Sequence, residues 1–114
     1  MSRNQKLAPL LAGRTLAAVE PPAPNAPTPA SRFAPGGPKW TVRFGDGATM
    51  TVRTDGTAPE GAEQVEGAQV ADVVQRGAVF TLALAGGRRV VFHTAEESGC
   101  VMLRDGQGRM EYAD

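Results

Sequence analysis

A chain of 114 residues, 41% of them apolar, has the size of one domain and enough hydrophobic side chains for a modest core. Twelve basic and twelve acidic residues cancel, which excludes wholesale attraction to nucleic acid or to an anionic membrane. No apolar run reaches the roughly 18 residues of a membrane span, and a single cysteine, Cys100, excludes an internal disulfide and fits a reducing cytoplasm.

The chain opens with MSRNQKLAPLLAGRTLAAVE. Pro9, Gly13 and Arg14 break its apolar stretch, so it does not read as a signal peptide. "KLAPLLAG" (6–13) predicts a short helical turn, with Pro9 early and Gly13 as the stop. "GRTLAAVE" (13–20) predicts a strand. Residues 21–38, PPAPNAPTPASRFAPGGP, then hold seven of the nine prolines. Proline lacks an N–H and cannot join a sheet ladder, so this segment is expected outside the sheets. Phe33 is its one large apolar residue.

"KWTVRFGDGATMTVRT" (39–54) reads as a hairpin. Trp40, Val42 and Phe44 alternate with polar residues, as do Met50 and Val52, and period 2 is the signature of a half-buried strand. All five share one face only if Phe44 opposes Ala48, Val42 opposes Met50 and Trp40 opposes Val52. That register needs the three-residue connection Gly45-Asp46-Gly47, with Gly47 left-handed. A two-residue turn would mix the faces.

"APEGAEQVEG" (58–67) predicts a second helical turn, with Pro59 early and Gly67 last. "GAQVADVV" (67–74) predicts a strand, and "QRGA" a short connection. "VFTLALAGGRRVVFHT" (79–94) repeats the hairpin arithmetic around Ala85-Gly86-Gly87, opposing Leu82 to Val90 and Phe80 to Phe92. "CVMLRD" (100–105), a Gly106-Gln107-Gly108 turn and "RMEYAD" (109–114) form one more hairpin.

Two offsets organise these elements. Residues 39–54 match 79–94 at a shift of 40, through Trp40/Phe80, Thr41/Thr81, Gly47/Gly87 and Thr54/Thr94. Residues 13–20 match 67–74 at a shift of 54, through Gly13/Gly67, Leu16/Val70 and Val19/Val73. The two offsets differ because the first half carries the proline-rich segment where the second has a short connection. The expectation is one all-β domain over 1–114. It is a small barrel or two-sheet sandwich of about eight antiparallel strands, built from two pseudo-symmetric three-stranded repeats, with a short N-terminal helical turn. Repeat one spans 13–54 with 21–38 as an inserted loop, repeat two spans 67–94, and a C-terminal hairpin fills 100–114.

Charge is divided between the halves. Residues 1–54 carry seven basic side chains against Glu20 and Asp46, and residues 55–114 carry five against ten acidic ones. The outer face of the first hairpin presents Thr41, Arg43, Thr49, Thr51 and Arg53, while Arg88 and Arg89 flank the second turn. Small β-barrels bind nucleic acid through such faces, but usually with exposed aromatics, and here the aromatics point to the core.

One histidine, His93, and one cysteine are too few ligands for an ordinary metal site. Glu96 and Glu97 are adjacent in a loop rather than on opposite sides of a substrate. The glycine clusters join strand to strand, unlike a phosphate loop, which joins a strand to a helix. These residues lead to a non-enzymatic protein-binding or assembly module, without cofactor, that presents the proline-rich loop through Pro24, Pro27, Pro29 and Phe33. Phage and mobile-element accessory proteins share this size and character. The alternative is a weak nucleic-acid binder using Arg43, Arg53, Arg88 and Arg89.

Overall fold

A computed structural model describes residues 6–21, 38–63, 65–97 and 100–113. Helix α1 (Leu7–Leu11) precedes eight strands: β1 (Leu16–Glu20), β2 (Lys39–Phe44), β3 (Thr49–Arg53), β4 (Val70–Arg76), β5 (Val79–Leu84), β6 (Arg89–His93), β7 (Val101–Arg104) and β8 (Met110–Ala113). They form two antiparallel sheets, ordered β1-β2-β3-β7-β8 and β4-β5-β6. The sheets do not close into a barrel. Isolated bridges link them at Thr15–Gln69 and at Thr54–Thr94.

Helix α1 is short because its sequence allows no more. Leu7 and Leu11, one turn apart, are both fully buried. Pro9 falls in the first turn, where backbone N–H groups have no helical partner in any case. Gly13 takes φ +84° and leads the chain into β1.

Both central hairpins have the register that shared apolar facing demands. In the first, Trp40 opposes Val52 and Val42 opposes Met50. Phe44 N–H donates to Ala48 O at 3.0 Å across Gly45-Asp46-Gly47, with Gly47 at φ +93°. In the second, Phe80 opposes Phe92 and Leu82 opposes Val90 around the 3-10 turn Ala85–Gly87. Inward side chains of both sheets meet α1 in one core, with Val42, Met50, Leu82, Phe92 and Leu103 all fully buried. Trp40, expected in that core, is only half-buried and packs against its margin. It stands one residue from the start of β2, and its large ring is harder to enclose there.

Three further expectations are corrected. The described residues of 58–67 form no helical turn. Instead Glu60 pairs with Val91 on β6, each N–H donating to the other's carbonyl at 2.9 Å. The edge of a sheet offers these backbone groups ready partners. Gly61 then passes so close that a Cβ on it would lie 2.2 Å from Arg89 O, at φ +76°. β4 runs on to Arg76, so its connection to β5 is the two residues Gly77 and Ala78 rather than four. Finally Arg53, placed outward by strand alternation, is 7% exposed. It lies beside the Thr54–Thr94 junction, where the segment after β6 closes over it.

Candidate functional site

The proline-rich residues Pro24, Pro27, Pro29 and Phe33 lie outside the described residues. The two ends of their segment are placed. β1 ends at Glu20 and β2 begins at Lys39, and these strands pair directly, Glu20 opposite Thr41. The segment therefore joins neighbouring strands of one hairpin. Its exit is anchored: Pro38 O accepts from Thr54 N at 2.8 Å and from Thr54 Oγ1 at 3.3 Å.

The four arginines singled out in the sequence do not share one surface. Arg43 on β2 is exposed and ion-paired with Glu20. Arg53 is buried and donates from Nη2 to Glu96 Oε2 at 2.8 Å. Arg88 and Arg89 belong to the other sheet's hairpin, and Arg88 Nη2 donates to Glu63 O at 3.0 Å. A basic row does cross the first sheet, from Arg43 through Thr49 to Arg104. Arg104 was not legible as part of it, because the pairing of β3 with β7 is non-local and no periodicity reports it.

Two shallow grooves flank the Thr15–Gln69 bridge. One, of about 680 Å³, is lined by Leu10, Ala12, Gly13, Arg14, Thr15, Gly45 and Asp46. The other, of about 470 Å³, is lined by Thr15, Glu66, Gly67, Ala68, Gln69, Ala85 and Arg88. Arg14 governs the first. Its guanidinium carbon stands 5.8 Å from the centre of the Phe44 ring, within cation–π range. Nη2 donates to Glu111 Oε2 at 3.0 Å, and Nη1 lies 3.6 Å from Asp46 Oδ2. Nη1 is buried without a hydrogen-bond partner. Arg14 thus ties the first hairpin turn to β8, with its charge matched by two carboxylates. In the sequence Arg14 was legible only as a break in an apolar stretch, since neither carboxylate partner is near it in the chain.

His93 opposes Val79 on its hairpin, and its Nε2 lies 3.6 Å from Glu60 Oε2. Cys100 is buried, with Sγ 3.6 Å from Glu96 O. Two turn carboxyls sit below the usual carboxylate range. Asp55 is lowered chiefly by hydrogen bonds from the Thr57 backbone and hydroxyl, and Asp105 by the N–H of Arg109 and then of Gln107. Among the described residues no three His, Cys, Asp or Glu side chains gather to hold a metal ion, and no helix is long and apolar enough to cross a membrane. Comparison with protein-family models, with curated proteins and with solved structures gives no match.

Proposed function

We propose that this chain is a non-catalytic protein-binding or assembly module: a duplicated β-scaffold that presents its proline-rich segment to a protein partner. The observation that carries the reading is a contrast between two connections. β4 and β5 are joined by Gly77 and Ala78 alone, whereas the corresponding strands β1 and β2 are joined by residues 21–38. A long connection without the means to join a sheet costs loop-closure entropy and usually serves a function.

The duplication is supported by backbone bonds that recur at the shifts of 54 and 40. Gly13 N–H donates to Val70 O at 2.9 Å, and Gly67 N–H to Leu16 O at 2.8 Å. Gly45 bonds Thr15 as Ala85 bonds Gln69, both at 2.8 Å, and Thr54 bonds Pro38 as Thr94 bonds Ala78, also at 2.8 Å. Asp55 N–H reaches His93 O at 3.0 Å, and Ala95 N–H reaches Arg53 O at 3.1 Å. Both inter-sheet bridges join equivalent positions, and the register slip at Leu16/Ala18 recurs at Val70/Asp72. The two halves thus clasp each other about an approximate twofold axis, and the first half alone carries the long connection.

The test is to replace 21–38 by Gly-Ala and to compare affinity captures from host extract by the two proteins. Partners captured by the parent should be lost with the segment, at an unchanged melting temperature. Identical captures would end the reading.

The nucleic-acid alternative retains one favourable observation, the Arg43–Thr49–Arg104 row, and loses Arg53 to the interior. It requires binding to single-stranded DNA or RNA at low salt that weakens steeply as salt rises, with a slope flattened by Arg43→Ala and Arg104→Ala together. No binding at low salt would close it.

A further inference from the structure

Three of the four sheet edges are blunted. β1 and β4 are bridged to one another through Thr15 and Gln69. β6 is covered by Glu60. β8 ends the five-stranded sheet; its pairing with β7 slips between Met110 and Tyr112, and among the described residues only β7 pairs with it. Such an edge is a template for another strand.

Its chemistry points to one occupant. Asp105 N–H donates to Arg109 O at 2.8 Å, closing the hairpin, so Arg104–Met110 is the next, non-bonded pair. The N–H and C=O of Met110 therefore face away from β7. Among the described residues Met110 is the most exposed of the large apolar ones, at 53%. Arg109 and Glu111 flank it with opposite charges. An antiparallel copy centred on Met110 would set Met110 against Met110 of the copy, and each Arg109 against a Glu111. Glu111 already accepts from Arg14 through Oε2, which leaves Oε1 for that contact.

We propose that β8 is a homodimerisation edge, where two copies of this chain pair antiparallel about Met110 into a continuous ten-stranded sheet. The proposal is independent of segment 21–38. The chain's net charge of zero sets no overall repulsion against it.

Analytical ultracentrifugation from micromolar to millimolar chain concentration tests this on the full chain. The parent should shift from monomer to dimer. Met110→Pro removes the outward N–H without touching a bond to β7 and should abolish the dimer, as Pro is tolerated on an edge. Arg109→Glu and Glu111→Arg should each be monomeric alone, since each sets like charges across the axis. Mixed in equal amounts they should dimerise, because one chain then supplies two acids and the other two arginines. Loss of fold alone would not be repaired by mixing. A parent that stays monomeric at millimolar concentration overturns the proposal. So does a dimer that survives Met110→Pro, or charge variants that remain monomeric when mixed.

Discussion

Phe80 and Phe92 stand directly opposite on β5 and β6, fully buried, with ring centres 6.1 Å apart and planes tilted by 45°. Truncating either ring removes its transfer energy and opens a cavity between the sheets. Phe80→Ala or Phe92→Ala should cost about 3–5 kcal/mol, read by chemical denaturation. That is a large part of the roughly 5–15 kcal/mol that holds a domain. An unchanged unfolding midpoint would mean the rings do not face the core. The turn carboxyls act differently. Asp105 Oδ1 accepts from the N–H groups of Gln107 and Arg109, both at 2.9 Å, and these bonds favour the ionised form. A carboxyl lowered by folding stabilises above its unfolded value and loses that contribution as pH falls through its folded value. Stability of the parent should therefore decline more below pH 4 than stability of Asp105→Asn, which has no such proton to gain. Parallel declines would show that the Asp105 bonds do not favour folding.

At the level of elements, what was legible follows from the range of the interaction. The facing of Trp40, Val42 and Phe44 against Met50 and Val52 fixed turn length and register, because a slip of one residue inverts every side chain. The same arithmetic held around Ala85–Gly87. Sequence could not reveal which strands become neighbours across long separations, so β7 beside β3 and the Arg43–Thr49–Arg104 row were missed. Local propensity also misread 58–67, where Pro59 and Gly67 suggested a helical turn and the free edge of β6 captured Glu60 instead. Burial of Arg53 had a like cause: alternation gives the face of a residue but not what covers that face. The Glu60 strap provides its own test. Ala in place of Gly61 would drive a Cβ into Arg89 O and would hold an unfavourable positive φ. The strap should lift from β6, with hydrogen exchange speeding at Glu60 and Val91, while the amides of the β2–β3 hairpin stay protected. Unchanged protection at Val91 would refute the tight approach.

On the scale of the molecule, the two halves are interleaved. The chain leaving β3 crosses to cover β6, and the chain leaving β6 returns to pair, as β7, with β3. The N-terminal elements belong to the same core: Leu7, Leu11 and Leu16 are buried in it, and β1 pairs along β2 while bridging to the start of β4. Cutting the chain within 21–38 removes all three leucines and exposes the edge of β2. The fragment 39–114 should therefore lack a cooperative thermal transition, bind a hydrophobic dye and aggregate, as an uncovered strand edge invites. Mixed with a peptide of residues 1–20, it should recover part of its transition, since the missing strand and helix are supplied in trans. The full chain with 21–38 replaced by Gly-Ala keeps every one of these contacts. Loop-closure entropy grows by only about 0.6 kcal/mol per doubling of length, so this variant should melt at or slightly above the parent's temperature. The paired outcomes separate two architectures. A soluble, cooperatively melting 39–114 would make the proline-rich segment a linker to a dispensable tail. A disordered fragment beside a stable short-turn chain makes it a loop carried by one hairpin, which the fold can spare.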